Sequence, residues 1–188
     1  MKPWQLFPLG LVGFAAIPLH AAEPIPDFLQ NMVGCFQVTF HYIEDGIHDK
    51  SYQPVFERSD LQPDHSLSRF LITAGVEQKH WSEHWTKLDE KRWRQEVTGP
   101  YGDFRYSCEG VWVLNQWRCL AEKAAKPRRD SERPYDYLNR ENTLQVNSQR
   151  WAHSQVNHKM LASGELYGVE LGWNVYERVD DHLCAAQE

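Results

Sequence analysis

The sequence predicts a mainly β protein, built as a single antiparallel barrel or sandwich of about ten strands. Short runs of alternating apolar and polar residues recur along the chain, and turn residues such as Asp-Gly, Asn-Ser and Gly-Pro-Tyr-Gly separate them. The chain has 188 residues, of which 41% are hydrophobic and 24% charged, as expected of one folded domain. A barrel has no exposed sheet edges and can enclose a cavity.

The first segment, residues 1–22, is predicted to be a secretory signal peptide. Lys2 precedes an apolar stretch from Trp4 to Leu19, and small residues, Ala21 and Ala22, come before the polar Glu23. The stretch is shorter than the roughly 20 residues of a spanning helix, and prolines interrupt it. We therefore expect a β-barrel domain at 23–188 that is periplasmic or secreted in a Gram-negative envelope. It should have no stable membrane insertion after cleavage, and an uncleaved N-terminal anchor is the alternative.

Four cysteines fit an exported protein, because an oxidising compartment permits disulfides. Cys108 and Cys119 flank a predicted hairpin and can meet across it, which would leave Cys35 to pair with Cys184. Other pairings, or four free buried thiols, remain open from sequence. The ten residues between Cys108 and Cys119 do not fit a compact zinc ligand pair, so no metal site is predicted.

The individual elements follow from local patterns. A short helical turn is predicted within Pro24–Asn31, and Gly34–Tyr42 alternates as a half-buried strand that ends at the Asp45-Gly46 turn. The segment 122–142 breaks the strand pattern and predicts one long loop, with a helical turn around Tyr135–Asn139. Further strands are predicted at 47–58, 67–76, 77–88, 91–98, 103–113, 116–121, 143–147, 150–160 and 166–178.

A series of motifs in this order resembles an uncharacterised family of exported bacterial proteins, one of the domain-of-unknown-function families. The motifs are MVGCFQVTF (32–40), KHWSEHW (79–85), WRQEV (93–97), RYSCEGVW (105–112), PRRDSERPYDYLNR (127–140), WAHSQVNHK (151–159) and ELGWNVYERVDD (170–181). The resemblance implies an envelope location and a calycin-like, lipocalin-like barrel, and it assigns no catalytic residue. His84 departs from the family pattern, which has an acidic residue there. Gly34-x-Phe36 after a short helix is also similar to the T-type phycobiliprotein chromophore lyases.

A row of polar residues on the strand at 150–160 is the first candidate site. Trp151, His153, Gln155, Asn157 and Lys159 share one face of this strand. Two interpretations remain open: the row faces solvent, or it lines the barrel interior, where its polar groups would need water, ions or a polar ligand as partners.

The pair His80 and His84 is the second candidate. The spacing of Trp81, Trp85 and Leu88 also fits a helix, on which the two histidines would share a face and could bind one metal ion. The neighbouring segments favour a strand, on which four residues span about 13 Å, too far for one metal ion to bridge. The same alternation puts Trp81 and Trp85 on the opposite face from the histidines, as core or as a stacking wall. The seven tryptophans beyond residue 22 all fall in predicted strands, where they either fill the barrel or line a cavity.

A basic stretch inside the long loop is the third candidate. Lys123, Lys126, Arg128, Arg129 and Arg133 lie within eleven residues, and guanidinium groups bind carboxylate or phosphate well. The stretch is either a solvated loop or, together with Tyr135, Tyr137 and Arg140, a cover over the barrel mouth. The formal charge of −6 argues against nucleic acid as a partner.

The sequence as a whole predicts a protein that binds a small polar or amphipathic ligand in a barrel cavity. An enzyme with His80 or His153 as general base, and an envelope interaction or assembly protein, are the alternatives. No familiar enzyme motif or haem attachment motif is present, so no catalytic residue is assigned, the cofactor is unknown and non-covalent haem is a minor option. No protein partner is identified. The predicted ligand-binding residues are His80, Trp93, Gln95, Arg128, Arg129, Tyr137, His153, Gln155, Asn157 and Lys159.

Overall fold

The structure is a computed structural model that describes residues 25–46 and 48–185. The predicted signal peptide at 1–22 lies outside these residues. One short helix, α1 (Asp27–Asn31), precedes the strands, and two 3-10 helices lie at Arg128–Asp130 and Asp181–Cys184. The strands are β1 (Gly34–Glu44), β2 (His48–Ser51), β3 (Val55–Leu61), β4 (Ser66–Thr73), β5 (Val76–Lys87), β6 (Arg92–Thr98), β7 (Phe104–Val113), β8 (Gln116–Ala125), β9 (Tyr137–Val146), β10 (Arg150–Met160) and β11 (Leu166–Arg178).

The sheet closes on itself as an antiparallel barrel. From β3 to β11 each strand pairs with the next one along the chain, β3 pairs with β1, and β1 pairs with β11 from Phe36 to Glu44. The short β2 pairs with the C-terminal half of β1, from His41 to Glu44, whereas β3 pairs with the N-terminal half. β2 is therefore not one of the ten strands that form the closed ring. The predicted mainly β barrel is confirmed, and a two-sheet sandwich is excluded.

Three element predictions are wrong. The predicted loop at 122–142 is shorter, because β8 continues to Ala125 and β9 begins at Tyr137. The predicted strand 47–58 is two strands, β2 and β3, separated by residues 52–54, where Pro54 has no N–H to donate to a ladder. The predicted helical turn around Tyr135–Asn139 is the start of β9, and the helical turn lies earlier, at Arg128–Asp130. The first half of β9, before the predicted strand at 143–147, was hidden in the sequence because polar residues, including Asn142, occupy its inward positions and weaken the apolar alternation.

An aromatic cluster closes the end of the barrel next to α1. The Phe28 ring packs against Trp85 and Trp93 at centroid distances of 5.2 Å each and against Trp112 at 4.3 Å. Trp85 also packs edge-on against Trp117 at 5.0 Å, and both rings are fully buried. Large aromatic side chains bury the most apolar area per residue, so this end supplies the apolar core.

Arg178, at the end of β11, holds α1 over this closed end. Its guanidinium donates hydrogen bonds to the carbonyl oxygens of Asn31 (2.9 Å) and Val33 (2.8 Å), where the helix ends and its carbonyls lack partners. The guanidinium needs the space beside Gly34, where a Cβ would lie 2.6 Å from Nη1. Gly34 also has φ +113°, which L side chains rarely adopt, so glycine is required here for two reasons.

Both predicted disulfides are present. Cys35–Cys184 joins β1 to the 3-10 helix at the C-terminal end of the described chain, and Cys108–Cys119 bridges β7 and β8 inside the barrel. Such disulfides are compatible with an extracellular or periplasmic protein. In the described part of the chain, no helix is long and apolar enough to cross a membrane.

The two disulfides should differ in their contribution to stability. Cys35–Cys184 spans 149 residues and Cys108–Cys119 spans 11. Loop-closure entropy then predicts stabilisation of about 5 kcal/mol for the long loop and about 3 kcal/mol for the short one. We expect urea unfolding of Cys35→Ala/Cys184→Ala to show the larger loss of free energy of unfolding. The double variant Cys108→Ala/Cys119→Ala is the matched control, and an equal or larger loss there contradicts the prediction.

Candidate functional site

The polar row of β10 faces the barrel interior, which settles the choice that the sequence left open. His153, Gln155, Asn157 and Lys159 are all buried, with relative exposures between 1% and 8%. The residues between them are more exposed and point away from the interior. The barrel therefore has a polar half, at the end away from α1, and it must find partners for these groups.

A β-bulge on β5 turns His80 into this polar half. Trp81 pairs with Arg69 and Lys79 pairs with Phe70, so the register skips His80. Trp81 and His80 both contact the interior, whereas His84 lies on the outer face, where its Nδ1 is 3.1 Å from the hydroxyl of Ser66. The prediction that His80 and His84 share a face opposite the tryptophans is therefore wrong, because an inserted residue resets the alternation. No cluster of three metal-binding side chains occurs in the described ranges.

A buried ionic cluster crosses the middle of the barrel. Arg69 is fully buried, with its Nε 2.5 Å from Glu83 Oε1 and its Nη1 3.5 Å from Glu57 Oε1. Burial by itself would lower the pKa of Arg69, but the carboxylates of Glu83 and Glu57 raise it above its ordinary value. Burial likewise opposes ionisation of Glu83, and the charge of Arg69 brings the pKa of that carboxyl below its usual range. The charged forms are thus stabilised by one another.

Glu83 also collects hydrogen bonds from the side chains around it. The indole Nε1 of Trp81 donates to Oε1 at 3.2 Å, and that of Trp85 donates to Oε2 at 3.1 Å. Gln95 Nε2 donates to Oε2 at 2.7 Å, and the Tyr106 hydroxyl donates to Gln95 Oε1 at 3.4 Å. This network orients side chains from β5, β6 and β7 toward the space above the cluster.

That space is a cavity of about 440 Å³ that reaches the loops at the open end of the barrel. Its volume falls in the range of small-molecule sites. The mouth lies between the β6–β7 loop at Gly99–Asp103 and the β8–β9 loop at Pro127–Arg129. The walls combine aromatic rings with polar groups, contributed by Tyr42, Trp81, Tyr106, Trp151, His80, Glu83, Gln95, His153, Gln155 and Asn174.

Arginines from the β8–β9 loop and from β9 surround the mouth. Arg128 Nη2 lies 3.4 Å from Asp103 Oδ1, and its guanidinium covers the Tyr101 ring at 4.2 Å. Arg129 Nη2 donates to Glu170 Oε1 at 3.0 Å. Arg140 is in β9 rather than the loop and donates from Nε to Asn157 Oδ1 at 2.7 Å. The predicted basic cover thus lies at the mouth, while Arg140 lines the cavity itself.

A second ionic network anchors the long loop beside the cavity. Lys159 Nζ lies 2.6 Å from Glu44, 3.5 Å from Glu170 and 3.6 Å from Asp130, all of them buried. Although burial opposes it, the charges of Lys159 and Arg133 hold the pKa of Glu44 at about 2. Because all of its charges are matched, this network supports the barrel and the loop rather than presenting free groups to a ligand.

The predicted ligand-binding residues divide into those that line the cavity and those that do not. Six of them line it: His80, Gln95, Arg128, Arg129, His153 and Gln155. Asn157 and Lys159 are buried but belong to the ionic network. Trp93 packs against Phe28 at the closed end, and Tyr137 lies on the outer face because its neighbour Leu138 points inward.

Fifteen of the lining residues are not among the predicted ligand-binding residues, and three of these, Glu83, Tyr106 and Asn174, bring polar groups to the wall. Asn174 had a readable signal, because it occupies an inward position of β11 between Gly172 and Tyr176, where an apolar residue is expected. Glu83 and Tyr106 had none, since the bulge on β5 and the closure of the barrel decide what they face.

The two cavity histidines differ in chemistry. Burial, with the nearby charge of Arg140, lowers the pKa of His153 to about 3, and its Nε2 bonds with Asn142 Oδ1 at 2.9 Å. His153 is therefore a weak base at neutral pH. His80 Nδ1 lies 2.7 Å from Glu57 Oε2. A carboxylate only accepts hydrogen bonds, so Nδ1 donates and Nε2 keeps a lone pair when the ring is neutral.

The fold and the cavity define a class, a closed antiparallel barrel with an interior site at one end. No protein-family model and no curated protein matches the chain. The resemblance to the exported bacterial family therefore stays a prediction.

Stability should depend on pH through His153. Its pKa is about 3 when folded against 6.5 as the ordinary value, so the unfolded state binds more protons between these pH values. The stability from the neutral ring is complete above pH 6.5 and is lost as the pH falls toward 3. We expect about 2 kcal/mol of the free energy of unfolding to be lost between pH 7.5 and 5.

Urea unfolding across this pH range measures the loss. In His153→Gln the slope of stability against pH between 7.5 and 5 should flatten. His182→Gln, at an exposed histidine, should keep the slope of the wild-type protein. Parallel slopes for the wild-type protein and His153→Gln would contradict the assignment.

Proposed function

We propose that this protein binds a small amphipathic molecule in the barrel cavity and works in the cell envelope, in the periplasm or outside the cell. The cavity has aromatic walls for an apolar body and polar groups that converge on it, the combination typical of small-molecule sites. The envelope location rests on the predicted signal peptide and is supported by the two disulfides.

The observation that carries the proposal is the cavity of about 440 Å³ with its mixed aromatic and polar wall, and two unpartnered polar atoms of residues in that wall add to it. Asn174 Oδ1 and Trp151 Nε1 are buried and have no hydrogen-bond partner among the described residues, a property they share with four buried polar atoms elsewhere, in Ser59, Trp112, Trp117 and Tyr176. A buried polar atom without a partner costs roughly 1–3 kcal/mol, so such atoms are normally satisfied. One is an acceptor and the other a donor, and a ligand with both kinds of polar group would satisfy them.

Titration with N-phenyl-1-naphthylamine, a neutral aromatic probe that fluoresces in apolar sites, tests for the cavity site. We expect saturable binding to the wild-type protein. Asn174→Phe should abolish it, because the new ring projects into the cavity from β11.

Leu171→Phe is the matched control, because it adds the same ring to the outer face of β11, where Leu171 is 45% exposed. It should bind the probe as the wild-type protein does. Absence of saturable binding to the wild-type protein, or unchanged binding to Asn174→Phe, would overturn the proposal.

A second candidate function, hydrolysis with His80 as general base, is favoured by the His80–Glu57 pair. Glu57 orients the ring and leaves Nε2 as the proton acceptor, as a general base requires. For an ester, Nε2 would take a proton from a water molecule as the hydroxide adds to the carbonyl carbon. The alcohol part would then leave, and the imidazolium would return the proton to it. Buried His153 does not fit this role.

Hydrolysis of 4-nitrophenyl acetate distinguishes the second candidate from simple binding. If His80 is a general base, His80→Gln lowers the rate by roughly 100-fold or more, and Asn174→Phe lowers it as well by blocking the cavity. His182→Gln controls for hydrolysis by exposed imidazole. Equal rates for the wild-type protein and His80→Gln would exclude this activity for His80.

A further inference from the structure

Positive charge is concentrated at the cavity of a protein that is acidic overall. Five lining side chains are cationic and two are carboxylates, whereas the whole chain has a formal charge of −6. The carboxylates are Glu83 and Asp103, and the cations are Lys79, Arg105, Arg128, Arg129 and Arg140. A cleft that carries one sign of charge raises the local concentration of ligands of the opposite sign.

Three of the four lining arginines have a carboxylate partner inside the protein, and Lys79 Nζ lies over the Phe70 ring at 4.7 Å from its centroid. Asp103 serves both Arg105, at 3.2 Å, and Arg128, at 3.4 Å. Glu170 binds Arg129 at 3.0 Å, and Glu83 is committed to the buried Arg69. A ligand that bound to these arginines would therefore have to compete with the carboxylates that already pair with them.

Arg140 is different, because no carboxylate of the described residues lies within salt-bridge distance of it. Its Nε donates to Asn157 Oδ1, an uncharged amide, and its guanidinium lies over the Tyr106 ring at 5.1 Å from the centroid. The charge acts on the cavity wall, since it helps to lower the pKa of His153 after burial. A guanidinium that is partly buried and lacks an anionic partner is a binding group for a carboxylate or a similar oxyanion.

The position of Arg140 gives the bound ligand a direction. Arg140 lies near the mouth end of β9, and Leu144, which also lines the cavity, follows four residues deeper, about 13 Å along the strand. Leu144 pairs with His153 of β10, which pairs in turn with Asn174 of β11, so these three residues lie at the same depth in the cavity. Trp151 lies deeper still on β10, with its ring stacked on the Arg69 guanidinium.

We propose that the cavity selects amphipathic organic anions, with the acidic headgroup on Arg140 near the mouth and the apolar body directed inward toward Leu144 and Trp151. The inference rests on the proposed binding function and adds the charge and the orientation of the ligand. Single polar substituents on this otherwise apolar body would meet the Trp151 indole N–H and the Asn174 amide oxygen.

A matched pair of probes tests this. 1-Anilinonaphthalene-8-sulfonate has the same aromatic skeleton as N-phenyl-1-naphthylamine and carries one additional negative charge. We expect Arg140→Gln to raise the Kd of the anionic probe tenfold or more and to change the Kd of the neutral probe by less than about twofold, because only the anion loses a charge-assisted hydrogen bond. Glutamine can still donate to Asn157, so the wall keeps that contact.

Two control variants separate the binding role of Arg140 from a general effect of charge. Arg140→Lys keeps the charge and should recover part of the affinity for the anion. Arg92→Gln removes an arginine that pairs with Asp89 at the opposite end of the barrel, and it should leave both affinities unchanged. Salt at about 1 M, where screening acts within ~3 Å, should weaken binding of the anion but not of the neutral probe.

The outcomes separate this inference from the proposed function. If the neutral probe binds in the cavity but Arg140→Gln leaves the affinity for the anion unchanged, the anion inference is wrong and ligand binding stands. Equal loss of both probes in a variant with unchanged near-UV circular dichroism also overturns it. If neither probe binds the wild-type protein, the proposed function fails, and the inference fails with it.

Discussion

The buried ion pair between Arg69 and Glu83, extended to Glu57, is the interaction on which the rest of the structure depends. A charge removed from water without a partner is strongly destabilising, so each of these three groups requires the others. Glu83 also accepts hydrogen bonds from Trp85 of the aromatic end and from Trp81 and Gln95 of the cavity wall. One carboxylate thus joins the apolar half of the barrel to the polar half.

The cluster divides the barrel interior into two regions with different tasks. Toward α1, the rings of Trp85, Trp93, Trp112 and Trp117 fill the space, whereas Trp81 and Trp151 line a cavity at the other end. The tryptophans therefore both pack the barrel and form a site wall, and only Trp173 among the seven in the strands is exposed. The apolar half supplies the core, which leaves the polar half free to keep open space and unmatched groups.

The second network, around Lys159, gives the long loop a fixed place beside the mouth. The loop contributes Asp130 and Arg133 to a set of charges that strands β1, β10 and β11 complete. Arg128 and Arg129 are held at the rim as a result. The arginines of the basic stretch, Arg128, Arg129 and Arg133, therefore all have carboxylate partners. Among the arginines that line the cavity, Arg140, on the strand that follows, is the one with no carboxylate of the described residues within salt-bridge distance.

The sequence by itself determined the strands with a clear apolar alternation and the face that His153, Gln155, Asn157 and Lys159 share, because these follow from neighbours along the chain. It favoured the Cys108–Cys119 pairing across a hairpin but left other pairings open. It predicted six residues of the cavity wall. Only the tertiary structure decided that this face points inward, that a bulge brings His80 in while His84 stays out, and that β9 begins at Tyr137. Those outcomes depend on which strand lies opposite and on how the barrel closes. Sequence patterns identify a strand by the contrast between an apolar face and a polar face, and a polar barrel interior removes that contrast.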